Sequence, residues 1–312
     1  MLSRGDLTDA EWAVLEPLLP RGNNRCGRWR DDRQVINGII HRLSTACQWR
    51  KLPERSGPWQ TIHERHALWP VDRTRERLLQ HVQAVADASG DIDWNINVDS
   101  TSIRAHQHAA GAPTAPPSAP LGASKGASQR SVHMRAHMRL RLFLAEAEPA
   151  GEALGRSRGG LTTKIHLSAD GRCRPLSLVV TPGRRADCTQ FEPVMDKIRV
   201  PRLGVGRPRR LPGSVGADKA YSNSLIRSYL RRRGIRHVIP EKNDSKAARW
   251  HRASDGGRPP GFDKTRYKAR NTVERAINKI KQFRAVATRY DKRGYVFLGT
   301  VTVAALLIWL RS

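Results

Sequence analysis

The spacing of apolar and polar positions changes character once along the chain, near residue 90. Before that point it is helical. Thr8 and Glu11 form a T-x-x-E capping box ahead of Trp12, Leu15, Leu18 and Leu19, and Pro20-Arg21-Gly22 ends that helix. A second helix is predicted from Asp31-Asp32, with Val35, Ile36, Ile39, Ile40 and Leu43 on one face. The loop QWRKLPERSGPW leads to a third helix at Gln60 to Trp69 and a fourth from Asp72 to Ala88. Beyond Ser89-Gly90 the period shortens to two. Ile92, Trp94, Ile96 and Val98 alternate with polar residues, predicting a strand that ends in Asp99, and LTTKIHLSAD and RPLSLVVT predict two more. Helices then alternate with strands. Asp187 to Ile198 and Ser222 to Arg233 are predicted helical, while SVGAD, ending in Asp218, and IRHVIP are predicted strands. Hairpin-linked strands followed by helix-linked ones describe a mixed α/β sheet. The expectation is therefore a helical, helix-turn-helix-like domain over 1–90 and an α/β domain over 91–312.

Two stretches need separate treatment. Residues 110–150 include GAPTAPPSAPLGASKGASQ, a Pro, Ala, Gly and Ser tract without core-forming residues, expected to be a disordered insertion. His133 and His137 follow it at helical i,i+4 spacing, without a third metal ligand nearby. The apolar run VFLGTVTVAALLIWL, Val296 to Leu310, falls short of the roughly 20 residues a spanning helix needs and is expected to be buried in the core.

Composition narrows the function. Four scattered cysteines without a C-x-x-C pair argue against a zinc ribbon or disulfide framework. The N-terminus lacks a signal-peptide apolar segment, so a cytoplasmic, nucleoid-associated protein is expected, with no membrane partner. The 312 residues carry 56 Lys and Arg against 28 Asp and Glu, a net charge of +28. Residues 1–90 contribute +3 of this and residues 91–312 contribute +25. Such a field calls for a polyanion, and double-stranded DNA is the expected partner.

Within that basic field, YKARNTVERAINKIK, Tyr267 to Lys281, is predicted to be one amphipathic helix holding a single acid, Glu274. At about 100° per residue Tyr267, Arg270, Glu274 and Lys281 share a narrow stripe beside an apolar face formed by Val273, Ala276, Ile277 and Ile280. Asp99 and Asp218 each follow an apolar strand, and strand ends in α/β sheets are where ligands gather. Three carboxylates converging there suit two Mg²⁺ or Mn²⁺ ions and phosphoryl transfer. The alternative for each acid is an ordinary salt bridge, and for Arg270 and Lys281 a solvated helix face. Asp187 reads as a helix N-cap. GRPRR, Gly206 to Arg210, reads as a basic loop.

Tyr267, Arg270, Glu274 and Lys281 match Y-x2-R-x3-E-x6-K, and with NVDSTSIRAHQ, ADKAY and the N-terminal LTDAEWAVLEPLLP the chain resembles the DDE transposases of bacterial insertion sequences, family five. The resemblance covers most of the chain outside residues 110–150. It implies an RNase H-like catalytic core, Asp99, Asp218 and Glu274 as catalytic metal ligands, and Tyr267, Arg270 and Lys281 as DNA-contacting residues. It further implies cleavage at terminal inverted repeats, strand transfer, and a homodimer on DNA. An RNase H-like nuclease and an inactive or domesticated DNA-binding protein are the alternatives. The near-neutral residues 1–90 are expected to recognise the element ends, and a chain of residues 91–312 to keep salt-sensitive DNA binding without that discrimination.

Overall fold

A computed structural model describes residues 5–20, 31–111, 152–157 and 159–312. Most of the low-complexity tract, with His133 and His137, lies outside the described residues. The N-terminal part is helical, with α1 Asp9–Leu15, α2 Asp32–Thr45, α3 Trp59–Leu68 and α4 Thr74–Ala88. The capping box forms as predicted: Glu11 N donates to Thr8 Oγ1 at 3.2 Å and Thr8 N donates to Glu11 Oε2 at 2.8 Å. Between α2 and α3 the chain makes two short 3-10 turns, Trp49–Lys51 and Glu54–Ser56.

The second part builds one sheet. Its main strands are β1 Asn95–Ala105, β3 Gly160–Ala169, β4 Pro175–Pro182, β5 Ser214–Ala217 and β6 Arg236–Val238, in the order β4-β3-β1-β5-β6. The short β2 Gly155–Ser157 extends the β4 side of β3, and β7 Thr288–Arg289 pairs with the end of β1. The hairpin-linked strands are antiparallel, whereas β5 joins β1 and β6 joins β5 in parallel. Hairpin strands on one side of β1 and crossover strands on the other give the mixed, RNase H-like sheet expected from the sequence.

Two predicted boundaries move, for physical reasons. The first strand does not end in Asp99 but runs on to Ala105, because β3 pairs with it as far as Arg104. Tyr267 to Lys281 is not one helix. It divides into Lys264–Lys268 and Asn271–Lys281 at a turn through Ala269 and Arg270. Asn97 on β1 holds that turn from below, donating from Nδ2 to Ala269 O at 3.1 Å and to Thr272 Oγ1 at 2.8 Å. A local helical periodicity has no knowledge of this strand residue.

One hydrophobic core runs through both parts. The C-terminal helix, Gly294–Leu310, buries Phe297, Val301, Ala304, Ala305 and Leu307 and packs against α4 and β4. Among the described residues no helix is long and apolar enough to cross a membrane. Across the same seam the buried Arg42 of α2 donates from Nη2 to Asp291 Oδ1 at 3.1 Å.

Candidate active site

The parallel pairing of β1 with β5 ends at Val98 and Ala217. Asp99 and Asp218 are the next residue on each strand. From there the strands part: Asp218 turns into the 3-10 segment Lys219–Tyr221, its Oδ1 accepting from Ala220 N at 2.8 Å, and β1 regains a partner on that edge only at Arg104, from β7. The crevice so opened lies beside the Glu274 helix, at the carboxyl end of β5, where a divergence of strands ordinarily makes a ligand site.

Asp99 and Glu274 are brought together through Arg270. Its Nη1 donates to Asp99 Oδ2 at 3.0 Å and its Nη2 donates to Glu274 Oε1. The side chain of Asp99 is 20% exposed and that of Glu274 47%. Burial raises the Asp99 pKa above the ordinary carboxylate value; the Ser100 N–H and Arg270 oppose the rise, and the charge of Asp218 adds to it. The Arg270 guanidinium is favoured as a cation, because Glu274 and Asp99 outweigh its own burial. Arg270 thus ties two of the three predicted acids, four residues before Glu274 on the same helical surface. Tyr267 supports it from the side: the Arg270 guanidinium lies 5.8 Å from the Tyr267 ring centroid, and that ring packs on Phe262 at 5.1 Å. Lys281 stands at the far end of the Glu274 helix, half-buried.

Adjacent side chains on a strand point to opposite faces, and the far face of the sheet carries a second cluster behind Asp99. Asp187 Oδ1 accepts from Ser100 Oγ at 2.7 Å and from Lys164 Nζ at 2.9 Å, and it lies 3.8 Å from His166 Nδ1. Its N-cap reading is corrected. No side-chain cap is present at that 3-10 turn, and the carboxylate instead turns towards the sheet. Burial alone would raise Asp187, but Ser100 and Lys164 outweigh it and hold the pKa below the usual value. Tyr221, buried at the junction, has its hydroxyl pKa pushed upward by burial and then by the charges of Asp187, Asp99 and Asp218. Ser100, Lys164, His166 and Tyr221 were not singled out by sequence reasoning. The register pairing Ser100 with His166 is what groups them, and only the strand alternation of KIH against DST hinted at it.

His166 is fully buried, and its pKa is lowered to about 4 by burial and by Lys164, with Asp187 opposing. In the unfolded chain an imidazole titrates near 6.5. The unfolded state therefore binds the extra proton first as pH falls, and the stability that neutral His166 contributes is full above about 6.5 and is lost towards pH 4. His166→Gln is expected to reduce the loss of unfolding free energy between pH 7 and pH 4.5 by roughly 2 kcal/mol. Urea titrations of both proteins at the two pH values measure this; equal acid losses would rule His166 out as the source.

The carboxylate oxygens of Asp99, Asp218 and Glu274 are hard donors of the kind divalent Mg²⁺ and Mn²⁺ take. Asp99, largely desolvated beside the like charge of Asp218, is a place where a cation is favoured. Among the described residues no three His, Cys, Asp or Glu side chains are already gathered closely enough to hold an ion, and Arg270 supplies the positive charge between Asp99 and Glu274. The donor chemistry fits; the side-chain arrangement has Arg270 between the donors. Past the end of β1, His106 and His108 lie side by side with Tyr290 packed on His106, and Arg209 of the basic loop lies over Trp94 at 4.1 Å and pairs with Asp87.

A mixed sheet with acids just past the last paired residues of two adjacent parallel strands, beside a helix that carries a third, is an RNase H-like α/β architecture. The chain belongs to the transposase DDE domain family, which matches residues 94–309, and residues 7–79 match the putative transposases of the IS4/5 family. It is thus a DDE-type transposase of the insertion-sequence kind. It is 29% identical to the putative transposase for insertion sequence element IS6501 of Brucella ovis over 151 residues, 48% of this chain and all of that protein. It is also 29% identical to the putative transposase for IS402 of Burkholderia cepacia over 153 residues, 49% of this chain and 64% of that one. The crystal structure of the Mos1 strand transfer complex is 10% identical and covers 93% of this chain and 79% of its own, at a TM-score of 0.25 that carries no weight for the fold.

Proposed function

We propose that the protein cuts the ends of its own insertion sequence and joins them to target DNA, with Asp99, Asp218 and Glu274 as the catalytic carboxylates. The observation that carries this reading is the pairing of β1 with β5, which sets Asp99 and Asp218 side by side where the strands part. Two divalent ions held by the three carboxylates would supply an activated attacking oxygen and stabilise the leaving one. The chain's own residues do the rest. Arg270, released from Asp99 and Glu274, is a planar donor suited to a backbone phosphate, and Lys281 is a point charge further along the same helix. Tyr267 offers a ring for stacking beside them. Asp99, only 20% exposed, meets its charged partners in a drier setting than the surface, which strengthens those interactions.

Residues 1–90 serve end recognition in this reading and residues 91–312 serve catalysis and phosphate binding, on DNA held by two copies of the chain. Phosphate contacts set affinity and its salt dependence, whereas base contacts set sequence preference. The test uses labelled duplexes carrying the DNA that flanks the gene, incubated with the full chain and Mg²⁺, Mn²⁺ or a chelator. End-specific nicking followed by joining, abolished by the chelator, is expected. Nicking without joining assigns a nuclease, and binding without nicking in either metal assigns a DNA-binding protein only.

A further inference from the structure

A cavity of about 260 Å³ lies between α4, β4 and the C-terminal helix, away from the carboxylate crevice. Leu79, Leu176 and Tyr295 form part of its wall, and the exposed charged residues of its lining are Arg73, Lys197 and Arg199 with one acid, Glu76. Arg75, from the first turn of α4, also lines it and is only 2% exposed. Arg75 Nη2 meets His66 Nδ1 at 2.7 Å. Arginine can only donate, so His66 Nδ1 accepts and its proton sits on Nε2. His66 is neutral there, its pKa well below the usual imidazole range through burial and the charges of Arg75 and Arg42.

The charges around this point do not cancel. Asp291 is the buried carboxylate of the cluster, and its oxygens are taken by Arg42 at 3.1 Å and by Thr300 Oγ1 at 2.7 Å. Asp72, exposed at the start of α4, caps Thr74 N at 2.9 Å. Three buried guanidinium groups, Arg42, Arg75 and Arg289, therefore share one buried carboxylate, and Arg75 Nε and Nη1 have no hydrogen-bond partner. An unpaired buried cation is among the costliest groups a fold can hold. Gly299 makes room for this guanidinium: a Cβ there would come within 2.5 Å of Arg75 Nη1 and 2.4 Å of Pro70 Cγ.

We propose that this cavity is a second anion site, which takes a phosphate group against the unpaired Nη1 of Arg75 with Lys197 and Arg199 screening its charge at the mouth. An unpaired guanidinium nitrogen gains a charge-assisted hydrogen bond from a phosphate oxygen, and the mainly cationic mouth favours a phosphate over a singly charged carboxylate. The volume admits inorganic phosphate or one nucleotide, so a duplex would engage it only through a backbone phosphate presented at the mouth. The site does not depend on the roles proposed for Asp99, Asp218 and Glu274. By tying α4 to β4, an anion bound here would lock the helical part onto the sheet.

The test is thermal unfolding of the full chain at constant pH and ionic strength, with chloride exchanged for inorganic phosphate or for acetate. Phosphate is expected to raise Tm by about 4 °C or more at saturation, and acetate to leave it unchanged. Lys197→Gln with Arg199→Gln, both at exposed positions, should shift the phosphate midpoint about tenfold upward, and Arg75→Met should abolish the response. Should Arg75→Met fail to fold, the exposed pair still decides the matter. A random-sequence duplex provides the second arm. If phosphate has no effect but the paired Gln replacements weaken duplex binding about tenfold at fixed salt, the anion is a backbone phosphate. Equal responses to phosphate and acetate, or a phosphate and duplex response unchanged by the paired replacements, would overturn the site.

Discussion

Asp99→Asn, Asp218→Asn and Glu274→Gln are each expected to cut strand cleavage and joining by about 10³-fold or more, with the fold intact. The size follows from the proposed chemistry: losing a ligand to an ion that stabilises transition-state charge removes several kcal/mol, and each 1.36 kcal/mol is tenfold in rate. The fold should survive for a reason visible at Asp99. Burial makes its charged form less favourable folded than unfolded, so a neutral amide of the same shape relieves a cost. The Asp99→Asn variant is expected to melt no lower than the parent. Glu274 is nearly half exposed and its partner Arg270 keeps Asp99, so its replacement touches an exposed ion pair worth at most about 1 kcal/mol. Cleavage assays on gene-flanking duplexes, run beside thermal melts, separate the two effects. A variant that melts like the parent and still cleaves at the parent rate removes that residue from the reaction.

The two aspartates were legible in the sequence because each closes an apolar run, although Asp99 stands within β1 and only Asp218 follows the end of its strand. Glu274 was legible as a lone acid on a basic stripe. What local pattern did not carry was the partner. The helical wheel placed Arg270 and Glu274 on one line but says nothing of Asp99, which stands 171 positions earlier and reaches Arg270 through sheet pairing. The Asp187 cluster was opaque for the same reason: Ser100, Lys164 and His166 have ordinary local contexts, and the register of β1 on β3 alone makes them neighbours. The turn at Ala269 and Arg270 depends on Asn97, again a strand residue far away in sequence. Periodicity reports which face of an element is apolar; it carries no information on which polar residue another element presents.

The N-terminal helices illustrate the same limit and give the other large effect. The change of period near residue 90 reads as a division between parts, yet the structure continues one core across it. A chain beginning at residue 91 is expected not to fold, rather than to keep DNA binding as charge alone suggests. From α2 it would lose Val35, Ile36, Ile39, Ile40 and Leu43, and from α4 Leu78, Leu79 and Val82, all buried. At about 1.5–3 kcal/mol for each such side chain the sum is roughly 12–24 kcal/mol, as large as or larger than the 5–15 kcal/mol by which a domain is ordinarily stable. Removing Arg42 also takes from Asp291 the guanidinium paired with its carboxylate. Gel filtration and near-UV circular dichroism of residues 91–312 should show aggregates or a chain without fixed tertiary packing. A monomer that melts cooperatively would show instead that the sheet and the C-terminal helix suffice. Recognition of element ends therefore has to be probed in the full chain, at exposed positions such as Arg50 and Lys51 beside α3, where a replacement alters contacts with DNA and leaves the shared core untouched.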